Sequence, residues 1–260
     1  MSTSVVKSIN HFLFHPDIQQ KILIKNSSIS FMIILVYILL TKLFGPLLMR
    51  HRKPFKLNKL LVIYNFTLSA ANFYLAKKCT AGSIKYWNTR CGFKKSIAYV
   101  EFMKEESVYV WLLFLLKYVE LIDTVFFVLR KKYNQISFLH VFHHSAVAML
   151  FWWILKTNEI GYYLLLTVSI NNGIHVIMYL YYGLAAIGPK MQKYLWWKKY
   201  LTTLQIIQFV VILSYMLYGF LSGCETLSSV EMILFTTFLS FMLLFLNYYL
   251  RNFIKNSKNK

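Results

Sequence analysis

Long apolar segments dominate this sequence, and they limit the folds open to it more than any other feature. A helix that crosses a bilayer needs about 20 mostly apolar residues. Hydrophobic residues make up 58% of the 260 positions, and the mean hydropathy is +0.50, which is outside the range of an ordinary soluble domain. The sequence therefore predicts an all-α, polytopic membrane protein. Its seven transmembrane helices are expected at residues 29–49, 57–76, 107–129, 137–155, 160–187, 201–222 and 228–250.

Little chain is left outside these segments, and no Pro-rich or Ser-rich linker divides it. We expect a single membrane domain over residues 1–260, with a lumenal N-terminal segment at 1–28 and a basic cytosolic tail at 251–260. The first span lacks a small-residue cleavage site after it, so we expect it to stay in the protein. The longest connection is predicted at residues 77–106.

The formal net charge is +20, which raises the question of nucleic acid binding. The distribution of the charge argues against it. If the N-terminus is lumenal, 16 of the 29 basic residues fall in cytosolic loops, 11 fall on the other side and 2 fall within spans. The positive-inside rule favours this orientation, although seven of those 11 lie in the 77–106 connection and run against the trend. We predict a membrane protein with a lumenal N-terminus and a cytosolic C-terminus.

The cysteines bear on compartment. By the parity of the spans, the loops that hold Cys91 and Cys224 lie on the same side of the membrane. On an oxidising side they could form a disulfide, but spacing alone does not fix connectivity, and two unpaired thiols are equally consistent with it.

The third predicted span carries ionisable residues on one helical face. Lys117, Glu120, Asp123 and Thr124 are spaced i, i+3, i+6 and i+7, which places them along one side of a helix. Charges at membrane depth cost several kcal/mol unless they are neutralised. These groups therefore either lock helices together as an ion-pair network or line a functional cavity.

A histidine box occupies the fourth span. His140, His143 and His144 have the i, i+3, i+4 spacing that puts three rings on one side of a helix. Polar stripes recur in the next two spans, where they are open to a packing role as interhelical glue or a role in substrate binding. The stripes consist of Asn171, His175, Met178, Tyr179 and Tyr182 in the fifth span, and Thr202, Gln205 and Gln208 in the sixth.

With the predicted orientation, these four polar faces lie at a similar depth in the cytosolic half of the membrane. The sequence therefore predicts a single buried site that opens to the cytosol. The histidines allow different chemistries there. A desaturase-like or hydroxylase-like metal could be held by the box and Asp123, whereas a neutral imidazole in a dry pocket could carry an acyl group as a nucleophile. A lipid or ion transporter is a third interpretation.

The same residues resemble the four signature motifs of the ELO family of very-long-chain fatty acid elongases. The motifs occur in the family's order within residues 107–215. They read Lys117-x-x-Glu120-x-x-Asp123-Thr124, Gln135-x-x-Phe138-Leu139-His140-x-x-His143-His144, Asn171-x-x-x-His175-x-x-Met178-Tyr179-x-Tyr181-Tyr182 and Thr202-x-x-Gln205-x-x-Gln208.

The resemblance implies a condensing enzyme, a 3-oxoacyl-CoA synthase that joins a long-chain acyl-CoA to malonyl-CoA with loss of carbon dioxide and CoA. It implies seven helices, of which helices two to seven form a bundle around a narrow acyl tunnel and helix one is peripheral. His143 is then expected to be the acyl-accepting nucleophile, His175 a proton carrier or second nucleophile, and Asp123 a group that orients an imidazole. His140 and His144 would position the substrates.

The resemblance also implies binding sites for both CoA esters. Lys117, Asn171 and Gln205 would bind thioester or malonyl oxygens, and a basic mouth would hold the CoA phosphates. The full set of expected substrate-binding residues is Lys117, Glu120, Asn171, Tyr179, Tyr182, Thr202, Gln205, Gln208, Arg130, Lys131, Lys132, Lys198 and Lys199.

Further expectations follow from the resemblance. They are a lumenal disulfide between Cys91 and Cys224, residence in the endoplasmic reticulum membrane, no metal and no tightly bound cofactor. The expected partners are membrane lipid, the reductases and dehydratase of the elongation cycle and a second copy in a homodimer, but no nucleic acid. Glycine at position 173, where many members carry a bulky residue, resembles the branch that handles saturated and monounsaturated chains.

Overall fold

The computed structural model describes residues 17–224 and 229–255. The predicted N-terminal segment at 1–28 and the predicted tail at 251–260 therefore lie partly outside the described residues. Within the described ranges the chain is helical throughout, with no strand. The main helices are α1 Ser27–Leu39, α2 Asn58–Lys85, α3 Ile97–Glu105, α4 Ser107–Glu120, α5 Ile122–Leu129, α6 Phe138–Thr157, α7 Tyr162–Ile187, α8 Lys198–Leu221 and α9 Ser229–Tyr249.

Short helical turns connect and extend these helices. Helix α1 continues through a π-helical turn and one more α-helical turn to Met49, and α9 continues as a π-helix. The short elements are Ile18–Gln20, Ile22–Lys25, Leu40–Phe44, Gly45–Met49, Trp87–Thr89, Phe93–Lys95, Tyr133–Gln135, Pro189–Tyr194 and Leu250–Lys255.

Five of the described helices are long and apolar enough to cross a membrane, which agrees with the prediction of a polytopic helical membrane protein. They are Ser27–Met49, Phe138–Thr157, Tyr162–Ile187, Lys198–Leu221 and Ser229–Ile254. The other two predicted spans are also helical, but they differ from simple apolar helices. Helix α2 buries several polar side chains, and the third predicted span is divided at Leu121 into α4 and α5.

The described chain divides into two compact units. The prediction of one domain over residues 1–260 is not tested by this division and stays a prediction. Of the described residues, the first unit comprises 17–56 and 97–160, and so contains α1 and α3 to α6. The second comprises 57–96, 161–224 and 229–255, and so contains α2 and α7 to α9.

In the first unit, α1 packs against α6, and its extension packs against α5. Gly45 permits this second approach, because a Cβ atom there would lie 2.7 Å from Cγ1 of Val128 and would also contact the carbonyl oxygen of Leu40. The apolar core of this unit is built from buried side chains of α1, α5 and α6 and their flanking turns. They are Ile34, Tyr37, Met49, Leu121, Val128, Ile136, Val141 and Ala148.

The segment before α1 is hydrogen-bonded to the C-terminal end of α6, the helix that carries the histidine box. The indole of Trp152 donates to the carbonyl of Leu23 at 3.1 Å, and Lys156 Nζ donates to the carbonyl of Ile24 at 3.0 Å. The side-chain amide of Gln19 donates in turn to the carbonyl of Leu155 at 2.6 Å. That carbonyl belongs to the last turn of α6, where the usual intrahelical donors are missing, and it also accepts the N–H of Asn158 at 3.4 Å.

In the second unit, α2 and α7 pack along most of their length, and α8 packs against both α7 and α9. A Cβ atom at Gly183 would lie 3.3 Å from the ring of Phe66, so the glycine allows the two helices a close approach. The hydroxyl of Ser69 on α2 donates to the carbonyl of Val176 on α7 at 2.9 Å. This bond fixes α2 beside the turn of α7 that carries His175.

Candidate functional site

The ionisable residues of the third predicted span form a buried ion pair within α4. Lys117 Nζ lies 3.0 Å from Oε1 and 3.1 Å from Oε2 of Glu120, and both residues are buried. The pair occupies the last turn of α4, immediately before the helix is interrupted at Leu121. The structure therefore places the Lys117 ammonium against a carboxylate of its own helix, which neutralises both charges locally.

A chain of hydroxyls leads from the first helix to the histidine box. The hydroxyl of Tyr37 in α1 lies 2.8 Å from Oγ1 of Thr124 in α5, and Thr124 Oγ1 lies 2.8 Å from Nε2 of His140 in α6. Thr124 is fully buried. Because one ring nitrogen of His140 is held in this way, the bond fixes the ring's orientation and couples its tautomer to the direction of the hydroxyl chain.

The three imidazoles of the box lie side by side, as their i, i+3, i+4 spacing predicts. The ring centroid of His144 lies 4.4 Å from that of His140 and 5.5 Å from that of His143. Ser137 caps the start of α6 by accepting a hydrogen bond from the backbone N–H of His140 at 3.2 Å. All three histidines and Asp123 are half-buried, so water has limited access to them.

The polar stripe of α7 is also present in the structure. His175 is buried and its ring centroid lies 5.8 Å from that of Tyr179, and Tyr179 lies 6.4 Å from Tyr182. Tyr179 is fully buried, whereas Tyr182 is 40% exposed. The stripe thus runs from a buried imidazole to an exposed phenol within two turns.

Two side-chain contacts tie α7 to α8. The amide of Asn171 donates to Oε1 of Gln208 at 3.3 Å, and the amide of Gln205 lies 3.5 Å from the sulfur of Met178. Thr202 is buried and bonds the carbonyl of Lys198 within its own helix at 3.3 Å. The third and fourth motifs, which both lie in this unit, therefore contact each other, which is consistent with either a packing or a binding role.

The expected CoA-binding cations lie at helix ends in both units. In the first unit Arg130 and Lys131 are half-exposed and Lys132 is exposed, all just after α5. In the second unit Lys198 and Lys199 are exposed at the start of α8. These side chains are accessible to a phosphate ligand.

One end of the second unit is closed by covalent and ionic bonds. Cys91 and Cys224 form a disulfide with a Cα to Cα distance of 4.6 Å. Lys94 Nζ lies 2.8 Å from Oε1 of Glu231, a carboxylate at the start of α9 that is only 3% exposed. The connection before α3 and the connection before α9 are therefore joined twice.

No group of three or more histidine, cysteine or carboxylate side chains within 17–224 and 229–255 is arranged to hold a metal ion. The histidine box together with Asp123 was one possible metal-binding group according to the sequence. His11 and His15 lie outside the described residues. The prediction that the polar clusters of the two units form one site stays a prediction.

Two residues of the hydroxyl chain received no role in the sequence analysis. Thr124 belongs to the first motif but was not assigned a function, and Tyr37 lies in a helix that was expected to be peripheral. A signal for Tyr37 exists in the sequence, because Ser30, Ile34, Tyr37 and Thr41 are spaced i, i+4, i+7 and i+11. All four are buried in the structure, so this polar stripe marks the packed face of α1.

The helices and clusters described above define a polytopic helical membrane protein with histidines and amides in its candidate spans and a buried ion pair in α4. The chain belongs to the ELO family, described as the GNS1/SUR4 family, whose model matches residues 22–260. This family membership agrees with the four motifs identified in the sequence.

Curated relatives of the chain are elongases. It is 41% identical over 219 residues to very long chain fatty acid elongase 4 of Macaca mulatta, and the aligned residues make up 83% of this chain and 68% of that protein. It is 37% identical over 246 residues to very long chain fatty acid elongase 1 of Homo sapiens, with 94% and 88% covered. It is 39% identical over 226 residues to very long chain fatty acid elongase 7 of Drosophila melanogaster, with 85% and 67% covered.

Proposed function

We propose that this protein is a condensing enzyme of very-long-chain fatty acid elongation, a 3-oxoacyl-CoA synthase. The observation that carries the proposal is the histidine box. The chain that contains it belongs to the ELO family, and its curated relatives are named very long chain fatty acid elongases. In the structure, three adjacent rings stand on α6, and one of them is oriented by Thr124. Such a set of imidazoles suits acyl transfer in a site of limited water access.

In the first half-reaction, a ring nitrogen of His143 attacks the thioester carbonyl of a long-chain acyl-CoA. The carbon–sulfur bond breaks, the thiolate takes up the proton that the imidazole loses, and CoA leaves. The acyl group stays on the imidazole. Asp123 orients an imidazole of the box, and His140 and His144 position the substrate.

In the second half-reaction, malonyl-CoA loses carbon dioxide to give an enolate, whose carbon attacks the acyl-imidazole carbonyl. The carbon–nitrogen bond breaks, and the imidazole recovers a proton with His175 as the proton carrier. The products are 3-oxoacyl-CoA, carbon dioxide and CoA, with a net uptake of one proton. Asn171 and Gln205 contribute amide donors, and the ammonium of Lys117, paired with Glu120, contributes an N–H donor, for the oxygens on which negative charge develops.

The proposal includes seven spans around an acyl tunnel, with a lumenal N-terminus and a cytosolic C-terminus in the endoplasmic reticulum membrane. The dimensions of the two less apolar segments support it. Helix α2 has 28 residues, which corresponds to about 42 Å at about 1.5 Å per residue. Residues 107–129 correspond to about 34 Å, which exceeds the roughly 30 Å of a bilayer's hydrocarbon core.

The test uses the full-length protein in detergent with radiolabelled malonyl-CoA and a C16 acyl-CoA. We expect labelled 3-oxoacyl-CoA from the wild type and none from His143→Ala. His51→Ala is the matched control, because this exposed histidine lies outside the spans and its loss should leave turnover unchanged. Folded protein that gives no product with any acyl chain length would contradict the proposal, and an active His143→Ala enzyme would place the nucleophile on another residue.

The acyl-imidazole is tested separately by mass spectrometry of the intact protein after incubation with acyl-CoA alone. We expect a mass increase equal to the acyl group, located on the peptide that contains His143. Turnover without any such adduct would favour direct attack of the enolate on bound acyl-CoA. Stoichiometric iron in active protein would instead support metal-dependent lipid oxidation, and substrate flux into liposomes without chemical change would support a transporter.

A further inference from the structure

Two basic loops meet at one end of the first unit, and we propose that together they bind the headgroup of an anionic glycerophospholipid. The first loop, residues 50–56, follows the span Ser27–Met49 directly. The second, residues 130–132, follows α5 directly. Between them the loops contribute the cations of Arg50, Arg52, Lys53, Lys56, Arg130, Lys131 and Lys132.

Two hydrogen bonds hold the loops together. Lys131 Nζ donates to the backbone carbonyl of Arg50 at 3.2 Å, and the backbone N–H of Phe55 donates to the carbonyl of Leu129 at 3.0 Å. The two loops are therefore held side by side, and the surface that carries their cations has a preorganised backbone. Preorganisation lowers the entropy lost when a multivalent ligand binds.

The backbone of Lys131 is held in an unusual conformation at this junction. Its φ is +56°, a left-handed conformation that glycine usually supplies after the end of a helix. The bonds of this helix end are formed, since the N–H of Lys131 donates to Val128 at 3.0 Å and the N–H of Lys132 donates to Phe127 at 2.8 Å. A lysine at this position carries a conformational cost that glycine avoids, and its ammonium is the group that reaches Arg50.

The surface is exposed, and its own loops contain no acidic residue. Arg50, Arg52, Lys53, Lys56 and Lys132 are all exposed, and Arg130 and Lys131 are half-exposed. Residues 50–56 and 130–132 contain neither aspartate nor glutamate. Several cations with no counter-charge in their own loops attract a polyvalent anion.

The position of the surface selects a lipid as the source of that anion. A loop that begins at the residue immediately after a span lies at the depth of the phospholipid headgroups. Clusters of basic residues at that depth recognise anionic lipids. Phe55, within the same loop, is 46% exposed, and an exposed aromatic ring beside cations is suited to the boundary between headgroups and acyl chains. A lipid phosphate is also present there at high local concentration, unlike a soluble anion.

The proposal is tested on the full-length protein in a neutral detergent by native mass spectrometry with added phosphatidic acid, phosphatidylserine or phosphatidylcholine. The test variant is Arg52→Gln with Lys53→Gln and Lys56→Gln. The matched control is Lys190→Gln with Lys193→Gln, which removes exposed cations from a connection in the second unit. A charge-conserving variant, Arg52→Lys with Lys53→Arg, checks that charge is the property that matters.

We expect the wild type to retain the two anionic lipids over phosphatidylcholine, and the triple variant to bind them at least about tenfold more weakly, since each juxtamembrane cation contributes to headgroup attraction. The matched control and the charge-conserving variant should bind like the wild type. Melting curves in the same detergent identify any variant that fails to fold, in which case Lys53→Gln alone replaces the triple variant.

Three results would overturn the proposal. One is equal retention of anionic and zwitterionic lipids by the wild type. Another is an equal loss of binding in the Lys190 and Lys193 control, which would indicate general charge attraction. The third is a loss of CoA binding, measured without lipid, that matches the loss of lipid binding in the triple variant, since the loops would then serve a soluble phosphate ligand. None of these measurements depends on catalytic activity, so the outcome is independent of the proposed condensation reaction.

Discussion

At the scale of single residues, a few glycines and a few buried polar side chains determine how the helices pack within each unit. Tyr163 of α7 lies directly over Gly219 of α8, and a Cβ atom at residue 219 would lie 2.8 Å from Cζ of the tyrosine ring. The same ring packs against Tyr215 and Phe220 at centroid distances of 5.4 and 6.1 Å. The absence of a side chain at residue 219 therefore makes room for an aromatic cluster.

Gly219→Ala should lower the melting temperature, because the added methyl group displaces a buried tyrosine. Overpacking of this kind costs about 1–3 kcal/mol. Gly173→Ala is the matched control, since nothing lies within 4 Å of a Cβ atom placed there and alanine favours a helix over glycine by about 1 kcal/mol. Thermal melting in detergent measures both, and equal melting temperatures for the two variants would contradict the packing argument.

Lys21 gives the protein a stability that depends on pH. Burial lowers the pKa of its ammonium to about 8, and Nζ lies 4.7 Å from the centroid of the Trp111 ring. Because the unfolded chain keeps the proton up to the ordinary lysine value of 10.5, the unfolded state binds more protons between these two pH values. Folding stability contributed by this group should therefore rise as the pH increases from about 8 to 10.5.

The measurement is the melting temperature of the wild type and of Lys21→Met at pH 7 and at pH 9.5. The other lysines and the tyrosines also titrate in this range, so the difference between the two proteins carries the information. We expect Lys21→Met to be the more stable of the two by a larger margin at pH 7 than at pH 9.5. A margin that does not change with pH would show that Lys21 keeps its proton in both states.

At the scale of helices, hydrophobic periodicity predicted where the helices occur. It did not predict the buried polar residues of α2 or the break within the third span. The polar residues that the spacing places on one face of α4, α6, α7 and α8 share that face in the structure. Helix α2 was expected to be an apolar span, but it buries Asn65, Ser69 and Asn72. The amides of Asn65 and Asn72 bond carbonyls one turn earlier at 2.6 and 2.9 Å, so the helix satisfies much of its own polarity.

The break at Leu121 also could not be read from the sequence. Neither proline nor glycine marks it. The structure shows a tighter turn in which the N–H of Leu121 donates to Tyr118 at 3.2 Å and the N–H of Thr124 donates to Leu121 at 3.3 Å. This turn lies between the Lys117–Glu120 pair of α4 and Thr124, which Tyr37 and His140 contact from two other helices.

The end of α6 offers a test at this scale. Asn158 terminates the helix with a φ of +57°, and its carbonyl accepts a hydrogen bond from Tyr99 at 2.8 Å. A residue with a Cβ atom costs about 1–2 kcal/mol in this conformation, and asparagine tolerates it better than most residues. Asn158→Ala should therefore lower the melting temperature, whereas Asn158→Gly should keep or raise it. Equal melting temperatures for both variants would contradict the assignment of strain to this position.

At the scale of the whole molecule, hydropathy and the motifs predicted a polytopic helical protein of the ELO family, and both are confirmed. The sequence did not specify the hydroxyl chain from Tyr37 to His140, because that contact joins residues 103 positions apart in three different helices. Spacing alone also left open whether Cys91 and Cys224 would pair, although the family resemblance implied the disulfide that the structure contains. Such contacts depend on how helices pack, which spacing within one helix does not determine.

The disulfide should be a large source of stability, because it closes a long loop. Cys91 and Cys224 are 133 residues apart, and removal of a native disulfide typically costs about 2–5 kcal/mol. We expect the apparent melting temperature of the wild type to fall on reduction and in Cys224→Ser. Reductant should have no further effect on Cys224→Ser, which is the internal control. A wild-type melting temperature that is insensitive to reductant would contradict the expected contribution.

The Lys117–Glu120 pair has a consequence for biosynthesis. Since the two opposite charges lie one turn apart on the same helix, they can neutralise each other as soon as that helix has formed. If α4 spans the membrane as proposed, it can then enter lipid without a net charge from this pair, before the helices that follow it in the chain have been synthesised. Replacement of either member alone would strand a net charge at that moment, and the resulting defect would arise during insertion of the nascent chain.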